Sequence, residues 1–341
     1  MYRKVTERNV PRGTYAEQLF QVEQWALNMK TNFDIIVIGA GHAGVEAAYI
    51  SSQFKSLEIG LVILKDVSMA STPCNPSIGG VGKGQVVREI DAMGGMMGLV
   101  SDLSGTQYRT LNDSKGYAVR STRVLVDKDK YSQNAEEIIR KITNIKIIRG
   151  EASQIIKKDD NFCIEIEGNK FTSSKVIVTA GTFLSGKTHI GKEQKVGGRY
   201  NKSSTVSLSS MVQKIKTNKN KFKTGTPPRI KQSTVNFDNL VKQGSDIDTS
   251  NFHWRNISAN RVLPQVDCYL TRTNQKKIDI ISENQEYSPI FNGQIQAVGP
   301  RYCPSVEDKV FRYPHKSEHH VFLEPEGHNL DTLYPSGIST S

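Results

Sequence analysis

A glycine-rich turn between a buried strand and a helix constrains the fold of this 341-residue chain more than any other feature. Residues 33–38, FDIIVI, form a short apolar run typical of a buried strand, and the Ala-rich segment after the turn has helical spacing. Between them, Gly39, Gly41 and Gly44 give the pattern G-x-G-x-x-G. A second apolar run, LVILKD at 61–66, completes a strand–helix–strand unit of about thirty residues. The sequence therefore predicts a parallel, Rossmann-like α/β sheet.

The same turn predicts a dinucleotide site. The first glycine permits a tight turn, the second lets the backbone approach a pyrophosphate, and the third allows close helix–strand packing. The start of the helix offers free N–H groups and a partial positive charge to the phosphates. His42, inside the turn, is either a ligand contact or a solvent-facing spacer. The small residues that end a later apolar run, KVIVTAG at 175–181, favour FAD because they let the chain pass close to a nucleotide.

An acidic residue about twenty positions beyond such a turn usually binds a ribose hydroxyl. Asp66 lies near that distance, at the end of the second predicted strand. Lys65 precedes it and the strand-end position is ambiguous, so a ribose contact by Asp66 and a role without ligand contact both stay open.

Further periodic segments continue the α/β pattern. Apolar spacing predicts a helix over 129–143 and strands at 145–150 and 162–168. After about residue 200, Ser, Lys, Asn and Thr dominate and buried runs are scarce. The proline pair in KTGTPPRI (223–230) is incompatible with regular structure.

These patterns predict an α/β chain of several parts. A Rossmann-like FAD-binding domain occupies 33–200, after an N-terminal extension at 1–32. The change in composition predicts an inserted second domain, of the α+β class, at 201–298, and we assign 299–341 to a segment that returns into the first domain.

Positive charge is concentrated in one segment. The chain has a formal net charge of +11, and residues 181–231 hold twelve Lys or Arg residues against one acid, Glu193. Such a concentration favours a polyanionic partner such as nucleic acid, because attraction to phosphates is mostly independent of sequence. A solvated lysine-rich face is the alternative.

Two of the four cysteines lie in loops rich in Pro and Gly, which is unusual for a structural thiol. Cys74 stands in STPCNPSIGGVGKG and Cys303 in VGPRYCPSVEDKV, each with basic residues nearby that favour the reactive thiolate. We interpret Cys163 and Cys268 as structural. No CxxC pair is present and HKSEHH (315–320) lacks a regular ligand offset, so the sequence predicts neither a metal site nor a disulfide framework.

Two cellular settings are disfavoured by the sequence. No apolar run reaches the ~18 residues that span a bilayer, and residues 1–32 lack the apolar centre of a secretory signal. The sparse cysteines fit a reducing compartment. We therefore expect no membrane association.

Motifs spread over residues 33–341 resemble those of one family, in that family's order. The motifs are FDIIVIGAGHAGVEAA, CNPSIGGVGKG, REIDAMGG, LNDSKGYAVRSTR, GTFLSGKTHIG, KTGTPPRI, GPRYCPSVEDKV, and FLEPEG followed by YPSGIST. The family that they resemble is MnmG, also called GidA, whose members modify the wobble uridine of tRNA. Family members are nearly twice as long, and Tyr117 stands where they usually have proline, so the chain resembles a member shortened on its C-terminal side.

The resemblance implies a glutathione-reductase-like FAD domain with an inserted NADH or substrate domain. Family members bind FAD, use NADH and take a one-carbon unit from methylenetetrahydrofolate. They add an aminomethyl or carboxymethylaminomethyl group at carbon 5 of uridine 34. Their partners are tRNA and an MnmE-type GTPase, with which they form a heterotetramer, and they are expected to be homodimers. The location implied is the cytoplasm, or the mitochondrion in a eukaryote.

The resemblance also implies particular site residues. The reacting thiols fall on Cys74 and Cys303, and Asp308 or Glu307 is placed to move protons. The expected FAD contacts are Gly39, Ala40, Gly41, His42, Ala43, Gly44, Ala152 and Thr205, beside Asp66. The expected NAD contacts are Gly299, Pro300, Arg301, Tyr302, Cys303, Pro304, Ser305, Glu307 and Lys309.

Four basic residues lie in the other motifs. For Arg120 and Arg123 two roles stay open, contact with tRNA phosphate or the flavin diphosphate, and pairing with acids. We expect Lys223 and Arg229 to face the substrate or NADH. Two other functions stay open: a folate-dependent tRNA uridine methyltransferase, and a non-catalytic remnant that binds FAD or tRNA.

Overall fold

The computed structural model describes residues 31–190, 193–198, 208–215, 222–255, 260–295, 297, 299 and 304–340. The predicted site residues Thr205, Pro300, Arg301, Tyr302 and Cys303 lie outside these ranges, as does nearly all of the predicted N-terminal extension.

The strands are β1 Asn32–Ile38, β2 Ile59–Ile63, β3 Ser77–Gly79, β4 Gly105–Leu111, β5 Ser121–Val126, β6 Ile145–Arg149, β7 Ala152–Lys158, β8 Asn161–Ile166, β9 Asn169–Val178, β10 Lys187–Ile190, β11 Glu193–Val196, β12 Ile230–Lys231, β13 Val241–Gln243, β14 Cys268–Arg272, β15 His320–Pro325 and β16 Thr332–Ser336. The α-helices are α1 His42–Ser51, α2 Gly84–Ala92, α3 Met97–Ser104, α4 Lys128–Arg140, α5 Ser209–Ile215, α6 Gln275–Glu283 and α7 Val306–Arg312. Short 3-10 turns occupy Asp113–Lys115, Tyr117–Val119, Gly181–Phe183, Gln232–Thr234 and Gln285–Tyr287.

The first sheet has the order β6-β2-β1-β9-β8-β7. Strands β6, β2, β1 and β9 are parallel, and β9, β8 and β7 are antiparallel. In β1, Ile36 and Val37 are both fully buried and pack in different core clusters, because successive side chains of a strand point to opposite faces. Strand β1 is therefore covered on both faces, as its continuous apolar run predicts.

Helix α4 covers one face of this sheet beside α1. The Asp127 carboxylate accepts hydrogen bonds from the N–H groups of Asp129 and Lys130, which caps the helix start. Tyr131, Ala135 and Ile139, spaced four residues apart, are buried in the same core cluster as the α1 residues. The predicted helix over 129–143 is confirmed with its boundaries shifted by one to three residues.

Three further sheets occur among the described residues. One is antiparallel with the order β3-β5-β4, one pairs β10 with β11, and one has the order β12-β16-β15-β14-β13. Strands β15 and β16 pair with each other, and with β14 and β12 of the second region. Val321, Leu323 and Leu333 form a core cluster with apolar residues of that region, and the return of 299–341 into the first domain stays a prediction.

Within the described ranges, every helix is too short or too polar to cross a lipid bilayer.

Candidate functional site

The glycine turn combines two tightly packed glycines with one that faces open space. A Cβ on Gly39, where φ is +106°, would lie 2.5 Å from the Thr179 carbonyl oxygen, and a Cβ on Gly44 would lie 1.7 Å from the Gly39 oxygen. The Thr179 hydroxyl donates to the Gly39 carbonyl at 2.8 Å. A Cβ on Gly41 would meet no heavy atom within 4 Å. A ligand can therefore approach the backbone at Gly41, whereas the other two glycines are required by the packing of the protein itself.

The N-terminus of α1 faces the same space. Gly41 is the N-cap residue, and no side chain makes a capping hydrogen bond there. Ala43 in the first turn is exposed, whereas the His42 ring lies 5.5 Å from the Tyr131 ring and is half-buried. The N–H groups of the first turn and the positive end of the helix are thus suited to an anion, as the diphosphate of FAD requires.

The other predicted FAD contacts differ in their exposure. Asp66 is exposed in a turn three residues beyond the end of β2, and its ribose contact stays a prediction. Ala152 begins β7 and its side chain is buried in the core, so a ligand contact there would come from its backbone.

The Cys74 loop is attached to the glycine turn. The Ala70 N–H donates to the Ala40 carbonyl at 2.8 Å. Cys74 follows four residues later, a length of chain that spans at most about 14 Å. The Val126 N–H of β5 donates to the Pro76 carbonyl at 2.7 Å and fixes the other end of the loop. The structure thus places the predicted thiol loop beside the predicted diphosphate site.

The Cys74 side chain is half-buried among residues from distant parts of the chain. Its Sγ lies 3.6 Å from Tyr334 Oη and 3.7 Å from the Gly225 carbonyl oxygen. Arg229 donates through Nη2 to the carbonyls of Cys74 at 2.6 Å and Pro73 at 3.1 Å. The motifs CNPSIGG, KTGTPPRI and YPSGIST therefore meet at one sulfur.

Arg229 is itself held by an ion-pair network. Its Nε donates to Glu326 Oε1 at 2.9 Å, and Lys128 Nζ donates to the same oxygen at 2.6 Å. Its guanidinium lies 4.8 Å from the centre of the Tyr334 ring. Burial disfavours the charged form of Glu326, but the Lys128 and Arg229 cations outweigh it and lower the pKa of this carboxyl.

The segment that follows Cys303 in sequence docks on the same region. Ser305 caps α7, its Oγ accepting from the Asp308 N–H at 3.2 Å. The Val306 N–H donates to the Ser339 carbonyl at 2.7 Å, and Lys309 Nζ donates to the Gly337 carbonyl at 2.5 Å. Helix α7 is therefore fixed against residues 337–340, which come directly after β16.

The KTGTPPRI segment lies between these parts. Lys223 Nζ is 3.7 Å from Asp308 Oδ2, and a Cβ on Gly299 would lie 3.3 Å from Lys223 Cε. A Cβ on Gly225 would lie 1.9 Å from the Thr340 carbonyl oxygen, which only a glycine permits. The segment thus approaches both the Cys74 loop and the GPRYCPSVEDK motif.

A positively charged cleft of about 720 Å³ lies beside α7. Its basic residues are Arg272, Lys309, Lys316, His315, His319 and His320, and Pro304 and Tyr313 also line it. Arg272 pairs with Glu318. Burial and the Lys309 and Lys316 cations lower the pKa of His319, so this ring is largely neutral at pH 7. Among the residues that the structure describes, no group of three or more His, Cys, Asp or Glu side chains could hold a metal ion.

Sequence reasoning missed several residues of this region. Tyr334 and Glu326 lie in motifs that carried the resemblance, but nothing in their spacing indicated contact with Cys74. For Arg123 the structure agrees with the alternative of pairing with an acid: Arg123 donates to the buried Glu324 at 2.7 Å. Burial raises the pKa of Glu324 although Arg123 opposes the shift.

The remaining predictions in this region concern thiols and Arg120. Cys268 is buried beside Gln107, and burial together with Glu324 raises the pKa of its thiol to about 12, which makes it unreactive. Cys163 is half-buried in β8. Arg120 pairs with Asp113, and its guanidinium lies 5.0 Å from the centre of the Tyr117 ring.

Comparison with known proteins identifies the family. The family described as Glucose inhibited division protein A matches residues 34–341. The chain belongs to this family. Its α/β fold is accordingly of the FAD-binding, glutathione-reductase-like class.

Relatives agree in sequence and in structure. The chain is 47% identical over 311 residues to the tRNA uridine 5-carboxymethylaminomethyl modification enzyme MnmG of Buchnera aphidicola subsp. Cinara cedri, covering 91% of this chain and 49% of that protein. Two crystal forms of Aquifex aeolicus GidA superpose with TM-scores of 0.82 and 0.80, at 37% and 36% identity. Each match covers 91% of this chain and 53% or 50% of the GidA chain. The chain therefore spans about half the length of the proteins that it matches.

Proposed function

We propose that this chain acts in FAD-dependent modification of tRNA, adding an aminomethyl or carboxymethylaminomethyl group at carbon 5 of wobble uridine 34. The name of the Buchnera relative supports the reaction. One structural observation supports the proposal most: the half-buried thiol of Cys74 belongs to a loop hydrogen-bonded to an open, glycine-lined helix start.

The residues of the glycine turn fit FAD. The diphosphate would lie over Gly41, where the space above the backbone is open, against the first-turn N–H groups of α1. Asp66 is proposed to bind the ribose, and Ala152 and Thr205 to complete the site. Bound FAD would supply hydride transfer to or from the one-carbon unit.

Cys74 and Cys303 are the proposed reacting thiols. A thiolate that adds at carbon 6 of uridine forms an S–C6 bond, and the C5=C6 electron pair moves toward O4 to give an enolate. Carbon 5 then becomes the nucleophile that takes up the one-carbon unit. Loss of the proton from carbon 5 and cleavage of the S–C6 bond restore the ring and the thiolate. Asp308, held near Lys223, is the proposed proton acceptor.

NADH is the proposed reductant and methylenetetrahydrofolate the proposed one-carbon donor. The proposed NAD segment runs from Gly299 to Tyr313, with Ser305, Glu307, Lys309 and the thiol loop in it. Pro304 and Lys309 line the positively charged cleft, whose size and charge suit a dinucleotide.

Partners are proposed from the family and from charge. The basic segment 181–231 is proposed to bind tRNA phosphates, although Lys223 and Arg229 already pair with acids inside the protein. An MnmE-type GTPase, in a heterotetramer built on a homodimer, is the proposed protein partner. The named relatives are bacterial, which favours the cytoplasm over the mitochondrion.

The proposal is tested with the purified chain and its GTPase partner. Oxidised flavin absorbs at about 450 nm, and NADH is expected to bleach that band. Modified uridine in tRNA is measured by mass spectrometry of nucleosides, with Cys74→Ser expected to abolish it. Bound flavin that NADH never reduces would favour the non-catalytic remnant. A methyl group on the product would favour the methyltransferase.

Binding of tRNA is tested separately by gel shift at several salt concentrations. A set of six to ten phosphate contacts would weaken binding about 10³- to 10⁵-fold between about 50 and 200 mM salt. Affinity that does not change with salt would contradict the role of the basic segment.

A further inference from the structure

Cys74 is held both by its backbone and by its sulfur, through residues 155 and 260 positions further along the chain. Arg229 binds the carbonyls on both sides of the Pro73–Cys74 peptide, and Tyr334 Oη contacts the sulfur. A thiol that only filled space in a loop would need neither contact.

Arg229 is suited to hold the backbone at Cys74, because its guanidinium is a rigid fork of hydrogen-bond donors. Nη2 reaches the two loop carbonyls while Nε binds Glu326, and Lys128 fixes Glu326 from α4. A lysine carries the same charge but cannot make both sets of bonds at once. The orientation of the loop therefore depends on the fork and not only on the charge.

Tyr334 is suited to hold the sulfur, because its hydroxyl is buried and stays protonated as a hydrogen-bond donor. Tyr334 is 4% exposed, and burial together with the Cys74 sulfur raises its pKa, so the phenol keeps its proton at neutral pH. Ser339 hydrogen-bonds the same hydroxyl, and its carbonyl accepts from the start of α7. When Cys74 is a thiol, its S–H is directed at the Gly225 carbonyl, but when it is a thiolate, Tyr334 is the O–H donor beside it.

We propose that Tyr334 and Arg229 are positioning residues for Cys74: Tyr334 donates a hydrogen bond that favours its thiolate, and Arg229 fixes the loop that aims the sulfur. This inference rests on the proposed function, in which Cys74 is a reacting thiol. Tyr334 also connects the Cys74 loop, through Ser339, to helix α7, which begins three residues after Cys303.

The two buried acids near the sulfur are each neutralised by a cation. Glu326 is paired with both Lys128 and Arg229, and Glu324, which faces Tyr334 from β15, is paired with Arg123 of β5. Since each acid has a cationic partner, neither repels a thiolate strongly.

The test measures the reactivity of Cys74 in the full chain, without tRNA or flavin turnover. Alkylation by iodoacetamide is followed from about pH 6 to pH 10 by mass spectrometry of the Cys74 peptide, with the Cys163 peptide as an internal reference. In Tyr334→Phe the midpoint of the pH profile is expected about one unit higher, which means tenfold less thiolate at pH 7. The greater nucleophilicity of a more basic thiol offsets part of this, so the rate at pH 7 falls about threefold.

Tyr269→Phe is the matched control, since Tyr269 lies on β14 in the same sheet and packs against Phe237. Its profile is expected to match the wild-type one. A Tyr334→Phe midpoint equal to that of the control would overturn the role of Tyr334.

Arg229 is tested by hydrogen exchange of the segment 71–76. Arg229→Met is expected to speed exchange at least tenfold, and Arg229→Lys to recover only part of the protection. Thermal melting shows whether each variant folds. If Arg229→Met does not fold, Arg229→Lys alone tests whether the fork or only the charge fixes the loop. Wild-type exchange in Arg229→Lys would show that charge suffices and would overturn the role of the fork.

The outcome for the proposed function is distinguishable. A shifted Cys74 profile in a chain that never modifies tRNA would support the positioning roles and reject the function. Modified tRNA together with an unshifted Cys74 profile would support the function and reject the positioning role of Tyr334.

Discussion

The open space above Gly41 gives a sharp prediction for Gly41→Ala. The new Cβ would meet no protein atom within 4 Å, and the backbone angles of −73° and −173° are allowed for any residue. The protein alone is therefore expected to keep its stability or to gain up to about 1 kcal/mol, because alanine restricts the unfolded chain.

The same methyl group would occupy the space that a diphosphate needs. A phosphate oxygen that accepts from an N–H lies at about 2.7–2.9 Å from the nitrogen, whereas a methyl carbon keeps its neighbours at about 3.5–4 Å. The ligand would have to withdraw by roughly 1 Å and lose at least one charged hydrogen bond, worth about 1.5–3 kcal/mol. FAD affinity is thus expected to fall about 10- to 150-fold.

The measurement is a titration of FAD into the flavin-free chain, followed by flavin fluorescence, together with a thermal melt of each variant. Gly244→Ala is the matched control, since its Cβ would meet only Asp267 Oδ1 at 3.4 Å. Gly39→Ala is the opposite case, because it clashes with backbone and has φ of +106°, so it should lower the melting temperature without any ligand. Unchanged FAD affinity in Gly41→Ala would refute a diphosphate at this turn, and a large loss of stability would refute the packing argument.

Two predictions concern residues that contact β15 and the segment after β16. Gly225→Ala is expected to lower stability by about 1–3 kcal/mol in urea unfolding, because its Cβ would lie 1.9 Å from the Thr340 carbonyl oxygen, and an unchanged midpoint would contradict that close approach. Arg123→Met leaves Glu324 buried without its cation and is expected to cost about 3–5 kcal/mol at pH 7. Burial raises the pKa of Glu324 in the folded state above its unfolded value, so this loss should shrink as the pH falls below 7 and the carboxyl takes up a proton, and a loss that does not change with pH would argue against an ionised Glu324.

Local patterns predicted the first half of the fold well because its elements are determined by residues that are close in sequence. The apolar run that became β1, the glycine turn and the spacing of α4 each act within about fifteen residues, and periodicity detects that range. The pairing of β15 and β16 was not predicted, because it depends on a core shared with Ile230 and Tyr269, far away in sequence.

The surroundings of Cys74 were hidden for the same reason. The sequence singled out the thiol because Pro and Gly flank it, but its partners Tyr334 and Arg229 are separated from it by 260 and 155 positions. From the sequence, an acid such as Glu326 is expected at the surface, because charged residues are mostly exposed. The cations that allow its burial, Lys128 and Arg229, come from other elements.

The buried acids Glu324 and Glu326 indicate why ion pairs occur near the Cys74 loop. Glu324 lies in β15 on the side opposite to Val321 and Leu323, and Glu326 comes one residue after the strand ends. Buried ion pairs are weak evidence for stability, because apolar residues of similar volume often serve as well. An apolar contact, however, could not aim Arg229 at the carbonyls of the Cys74 loop, whereas the Lys128–Glu326–Arg229 array fixes its direction. The array is therefore better explained by the placement of the sulfur than by the stability of the fold.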